Sequence, residues 1–156
     1  MKTQRTGYAI ALIATLSSLA LPANADKYST PKNSQYDEEC GTCHMAFPAP
    51  LLDANSWRAL MEGLPKHFGS DASLDAKQRV VIGSYLTANA SSRSSEDATG
   101  KPQLRITETT RFVRKHHEVN PSVWKRPSVK SAANCAACHP RAAAGDFEEH
   151  DVRIPR

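Results

Sequence analysis

Aromatic side chains are scarce in this chain of 156 residues: Phe, Tyr and Trp together make up 6%, and the mean hydropathy is −0.51. A chain this polar builds only a modest core from its own side chains, so a large self-sufficient hydrophobic interior is excluded. Long apolar runs are missing after residue 25, which leaves no candidate membrane span beyond the N-terminus. No stretch reads as a strand, and no repeat appears beyond one short motif that occurs twice. The formal charge of +4 falls to +2 once Lys2 and Arg5 are set aside with the leader described below, which is weak ground for nucleic-acid binding.

Cysteine is also rare, and all four copies lie in the repeated motif: Cys40-Gly41-Thr42-Cys43-His44 and Cys135-Ala136-Ala137-Cys138-His139. C-x-x-C-H is the attachment signature of a c-type haem, in which two thiols add across the porphyrin vinyl groups and the following histidine binds the iron. A helical motif would set Cys40, Cys43 and His44 on one face, aimed at one porphyrin. A structural disulfide, a thioredoxin-like C-x-x-C and a four-cysteine zinc site are the plainer readings. Zinc sites usually place their cysteine pairs within about 12–20 residues of each other, whereas 91 residues separate these two pairs. Redox C-x-x-C motifs do not require the trailing histidine. Two covalently attached c-type haems are therefore expected as cofactors, and their rings would provide much of the apolar surface that the side chains lack. The apoprotein is expected to fold poorly.

Residues 1–25 read as a secretory signal peptide, with Lys2 and Arg5 as the positive region, an apolar run from Tyr8 to Leu21 and a small-x-small site at Ala23-Asn24-Ala25. The run is short for a membrane span and diluted by Thr15, Ser17 and Ser18, so cleavage is expected rather than a retained anchor. Bacterial c-type haem is attached after export, which makes the periplasm the expected compartment.

The fold class expected is mainly α, with two small helical haem-binding lobes of cytochrome c type joined by a Ser-rich linker. Residues 26–90 form the N-terminal haem lobe, 91–102 the linker and 103–156 the C-terminal haem lobe. In the first lobe, Asp53 or Asn55 can cap a helix that carries Trp57, Leu60, Met61 and Leu64 on one face and ends at Gly63 and Pro65. Asp75 and Gln78 form a capping box for a second helix that carries Val81, Ile82, Tyr85 and Leu86 inward. In the second lobe, Thr107 or Thr109 can cap a helix through Phe112, Val113, His116 and His117, stopped by Asn120-Pro121. Charge is uneven: residues 26–100 balance at −3 and residues 101–156 at +5. The densest basic stretch is Arg111, Arg114, Lys115, Lys125, Arg126 and Lys130, opposed locally by Glu118. It suits haem propionates, an acidic redox partner or a solvated helix face.

His44 and His139 are the expected proximal ligands, and the other axial position decides the chemistry. Met45 adjoins a proximal ligand and cannot reach the opposite face, so Met61 is the remaining methionine candidate, and its place on the apolar stripe favours core packing. His67, at a helix end in the same lobe, is the natural distal partner of His44. For the second haem, His116 stands four residues from Phe112 and His117 four from Val113, so periodicity leaves that pair unresolved. His150, among Glu148, Glu149 and Asp151, has the setting of a solvated tail.

The sequence resembles the small periplasmic dihaem cytochromes c, the DHC family. The likeness runs through Glu39-Cys40-Gly41-Thr42-Cys43-His44, Ser56-Trp57-Arg58-Ala59-Leu60-Met61, His67-Phe68-Gly69, Ala72-Ser73-Leu74-Asp75, Leu104-Arg105-Ile106-Thr107-Glu108-Thr109, Asn134-Cys135-Ala136-Ala137-Cys138-His139, Gly145-Asp146-Phe147 and Val152-Arg153-Ile154-Pro155-Arg156. The resemblance implies two mainly helical haem lobes with both irons bis-histidine ligated. It also implies electron exchange with a second periplasmic haem protein of the sphaeroides haem protein type and with membrane cytochromes b. The family's pattern before the second motif is a histidine, a basic residue and then Glu. Matched to Lys115-His116-His117-Glu118, it selects His116 as the distal ligand, with His117 departing from the basic slot.

The expected function is thus a periplasmic one-electron carrier, not an enzyme, with Cys40, Cys43, Cys135 and Cys138 as thioether cysteines and His44, His67, His116 and His139 as axial ligands. The rival from another class is a haem enzyme or gas-binding protein with one open axial site, although dihaem peroxidases are roughly twice this length. A small dihaem subunit of a periplasmic reductase would hold its motifs much closer together, and a His/Met carrier rests on Met61 alone. Neither nucleic acid nor stable membrane insertion after cleavage is expected.

Overall fold

The computed structural model describes residues 26–156. The predicted signal peptide lies outside them. Among the described residues the chain forms four α-helices, α1 (Ser34–Cys40), α2 (Ala54–Glu62), α3 (Ala76–Ala88) and α4 (Thr110–Lys115), connected by single turns of 3₁₀-helix and no β-ladder. The mainly helical class expected from the sequence is what the chain adopts. No helix among these residues is long and apolar enough to cross a membrane.

The helix starts follow the capping residues. The Asp53 side chain accepts from Ser56 N–H at 2.7 Å to begin α2. Asp75 and Gln78 form the reciprocal capping box of α3, and Thr109 caps α4. One core dominates: Tyr36, Ala49, Leu52, Trp57, Met61, Leu64, Ile82 and Leu86 bury one another where α2 lies against α3 and α1 closes the end. Its polar edges are satisfied, with Trp57 Nε1 donating to the Ala49 carbonyl and Tyr36 Oη to that of Phe47, both at 2.7 Å. Met61 belongs to this core. The second half is thinner, and its buried apolar residues are Val123, Val129, Cys138 and Ala142.

The structure corrects two local expectations and settles the shape of the motifs. Val81 and Val113 face solvent, at 40% and 57% exposure, because Ile82, Tyr85 and Leu86 already fill the inner face of α3 and α4 is too short to cover a full stripe. α4 ends at Lys115 with His116 as its C-cap, well before Asn120-Pro121. The haem motifs are not α-helical: Gly41 terminates α1 immediately after Cys40, and Cys135–Ala137 is a 3₁₀ turn closed by His139 N–H donating to the Cys135 carbonyl. The two cysteines and the histidine of each motif are therefore gathered by a tight turn rather than by a helix face.

The two halves are stitched together. Ser91 N–H donates to the Leu52 carbonyl, and Ser95 N–H donates to the Asp53 carboxylate, so the Ser-rich segment lies on the first core. Asp26–Tyr28 runs the other way, with Phe147 N–H donating to the Asp26 carbonyl and Tyr28 N–H to the Gly145 carbonyl. The tail from Arg141 to Arg156 has no periodicity but is held by specific bonds, among them Arg153 N–H to the Cys138 carbonyl and Arg126 to the Pro155 carbonyl.

Asp53 thus caps a helix and anchors the Ser-rich segment. Burial opposes its ionisation, yet hydrogen bonds from Ser56, Ser95 and Asn55 prevail and hold its carboxyl below the usual carboxylate range. A depressed folded-state pKa stabilises above the unfolded pKa, about 3.9, and that stabilisation is lost as pH falls through the folded value. Asp53→Ala is expected to lower holoprotein stability by about 1–3 kcal/mol at pH 7 in guanidinium melts. Asp53→Asn should flatten the acid limb below pH ~4.

Candidate haem sites

The structure brings the predicted histidines together in two pairs. The rings of His44 and His67 lie 6.1 Å apart between centres, and those of His116 and His139 lie 6.1 Å apart as well. With metal–nitrogen bonds of about 2 Å, and about 1 Å from that nitrogen to the ring centre, two imidazoles on opposite sides of one metal stand about 6 Å apart. Both spacings fit one iron between two imidazoles.

In the first site, His44 Nδ1 lies 2.7 Å from the Met45 carbonyl. With Nδ1–H donating there, Nε2 keeps its lone pair for a metal. His67 follows the 3₁₀ turn Leu64–Lys66 that ends the α2 region. It is presented by a tight turn in which Phe68 and Gly69 both have positive φ, 49° and 99°, closed by Ser70 N–H donating to the His67 carbonyl. Left-handed backbone at a bulky aromatic is uncommon and marks a residue held in place by its surroundings. Here Phe68 packs against His67, and the Arg105 guanidinium sits 4.0 Å over the Phe68 ring. Phe47 stacks on His44 at 4.8 Å. Burial, then the neighbouring His44 and Arg105, push the His67 pKa down, which keeps the imidazole neutral and able to ligate.

In the second site, His116 Nδ1 lies 2.9 Å from the Phe112 carbonyl, the same arrangement as at His44. Its ring stacks on Phe112 at 3.9 Å, with Trp124 at 5.9 Å, and Phe147 packs on His139 at 5.2 Å. Burial and the adjacent His116 lower the His139 pKa, while Asp26 opposes them. His117 is not part of this pair: its exposed ring faces the Arg114 carbonyl. His150 is likewise exposed, between Glu148 and Asp151.

None of the four cysteines is disulfide-bonded. Burial pushes the Cys40 and Cys135 thiols up to about 11, helped at Cys40 by Glu39 and Asp37, and raises Cys138 as well. Redox-active C-x-x-C pairs have the opposite property, a depressed thiol pKa. The free thiols, the paired imidazoles and the aromatic walls together fit a covalently attached porphyrin.

Several residues at these sites were assigned no role from the sequence. Arg105 reaches the first site from beyond the Ser-rich segment, and Asp26 reaches the second from the start of the described chain. The Asp26 carboxylate bonds Arg111 at 3.0 Å and Lys115 at 2.8 Å, so part of the basic stretch is answered by an acid 85 residues away in sequence. Phe68 and Phe147 stand in stretches that carry the family resemblance but were given no role there, and Phe47 and Trp124 stood out only as two of ten aromatic residues.

A family model for dihaem cytochrome c matches residues 36–147. Among solved structures, the chain is similar to a dihaem cytochrome c from Shewanella baltica, with 42% identity over 80% of this chain and 94% of that one and a TM-score of 0.70. Two structures of the dihaem cytochrome c from Rhodobacter sphaeroides share 48% and 46% identity over 76% of this chain, covering 100% and 98% of theirs, with TM-scores of 0.66 and 0.67. No curated relative matches the chain. With both motifs inside the matched region, the chain belongs to the dihaem cytochrome c family, and its cofactors are two covalently bound c-type haems.

Proposed function

We propose that the protein is a periplasmic one-electron carrier whose two haem irons are each closed by a pair of histidines, His44 with His67 and His139 with His116. The observation that carries this reading is the equal 6.1 Å separation within the two imidazole pairs. A c-type haem takes up or gives back one electron at its iron, at a potential set by its ligands and surroundings. The residues around it hold the ligand set constant. The Met45 and Phe112 carbonyls fix the tautomer of His44 and His116, and the aromatic rings packed on the histidines limit their rotation. A site whose coordination is the same in both oxidation states reorganises little, which favours fast exchange and leaves no position for a substrate.

Family likeness supports redox proteins as partners, among them a haem protein of the sphaeroides type and a membrane cytochrome b. The leader-like N-terminus and the post-export chemistry of haem attachment support the periplasm. Potentiometric titration of the holoprotein is expected to give reversible one-electron steps totalling two electrons per chain, with low-spin spectra at both ends. Steady consumption of hydrogen peroxide would contradict the carrier reading.

A further inference from the structure

The segment Asp26–Tyr28 joins the two elements that face each other across the second haem site. On one side is α4, capped at its C-terminus by His116: the Asp26 carboxylate bonds Arg111 and Lys115 of this helix, and Arg111 Nε donates to Tyr28 Oη at 2.8 Å. On the other side is the stretch 145–148, which packs on His139 through Phe147. Phe147 N–H donates to the Asp26 carbonyl at 2.9 Å, Tyr28 N–H donates to the Gly145 carbonyl at 2.8 Å, the Tyr28 and Phe147 rings meet edge to face at 5.7 Å, and Lys27 pairs with Asp146 and Glu148. Gly145 is required for this approach. Its φ is +73°, and a Cβ there would lie 2.2 Å from the Tyr28 carbonyl oxygen.

α4 has six residues and buries none of them fully, and a helix so short has no stability of its own. We propose that Asp26 and Tyr28 are positioning residues for the second haem, clipping the helix that presents His116 to the segment that supports His139. The inference rests on His116 being the distal ligand. The first haem site receives nothing from this clip and serves as an internal control.

The test uses the reduced holoprotein and carbon monoxide, which binds haem iron only where a ligand is absent or readily displaced. Wild type should bind none. Asp26→Asn and Tyr28→Ala should each make up to one haem equivalent reactive, and Asp26→Glu should restore much of the closed state. Gly145→Val should act in the same way while leaving every bonding group of the clip in place. In Asp26→Asn the loss of an anion beside the site should also raise the reduction potential of one haem and leave the other unmoved. Combination with ligand variants identifies the haem. In a His116→Ala background, Asp26→Asn should add no further carbon monoxide binding, whereas in a His67→Ala background the reactive fraction should pass one equivalent. Two results would overturn the inference: no gain of binding in any clip variant with both potentials unchanged, or equal opening of both haems, which would mean general loosening. If wild type itself binds carbon monoxide, the bis-histidine reading fails first and takes this inference with it.

Discussion

Replacing His116 with Ala is expected to convert one of the two haems, and only one, from low spin to high spin and to let one equivalent of carbon monoxide bind after reduction. The imidazole at 6.1 Å from His139 is the sole histidine so placed: His117 points its exposed ring at the Arg114 carbonyl and His150 stands among acids on the surface. His117→Ala and His150→Ala should therefore leave the spectrum unchanged. His67→Ala should reproduce the effect at the other haem, and the double variant should open both. The effect is all or none because the replaced ring is a direct ligand in this account, and nothing nearby can substitute for it. Met61 is buried in the helical core with Trp57 and Leu64. Optical and electron paramagnetic resonance spectra of the four single variants and the double variant check this, and a low-spin His116→Ala protein would remove His116 from the ligand set.

The second large effect concerns folding. A chain with Cys135→Ala and Cys138→Ala cannot attach its second haem, and we expect it to lose ordered structure across the second half while the first half stays folded. The asymmetry follows from where the apolar residues are. Eight buried residues in and around α1, α2 and α3 make a connected core, whereas the second half buries Val123, Val129, Cys138 and Ala142. Those four are a smaller and less apolar set than the eight of the first core, so the second half depends more on the porphyrin surface. Hydrogen exchange on this variant should show protection kept in α2 and α3 and lost from α4 to the C-terminus. The mirror variant, Cys40→Ala with Cys43→Ala, should be milder. Near-native protection around Phe112 and Trp124 without the second haem would show that the second lobe folds on its own.

How much of this could be read from the chain depends on the range of the forces involved. Capping is local, and Asp53, Thr109 and the Asp75–Gln78 box start helices where the sequence placed them. The motifs are local too, and with them the attachment cysteines and the first axial histidines. The shape of the motifs is not fixed by their spacing, because a tight turn and a helix satisfy the same short spacing, and Gly41 ends α1 inside the first motif. The length of α4 was overestimated because Val113 looked like a core position, but the second lobe has little core to receive it. The clip formed by Asp26 and Tyr28, and Arg105 over Phe68, join residues far apart in the chain. Periodicity and capping carry no trace of such contacts. His116 and His117 illustrate the boundary: adjacent in sequence, they are separated only by where the end of α4 turns relative to His139.

The most direct test of two histidine-closed irons is a visible spectrum of the exported wild-type holoprotein, taken oxidised, then reduced, then reduced under carbon monoxide. Low-spin spectra without the far-red band of a His/Met haem, unmoved by carbon monoxide, are the predicted result. A Soret shift corresponding to one haem would contradict it and identify an iron with an open or weakly held face.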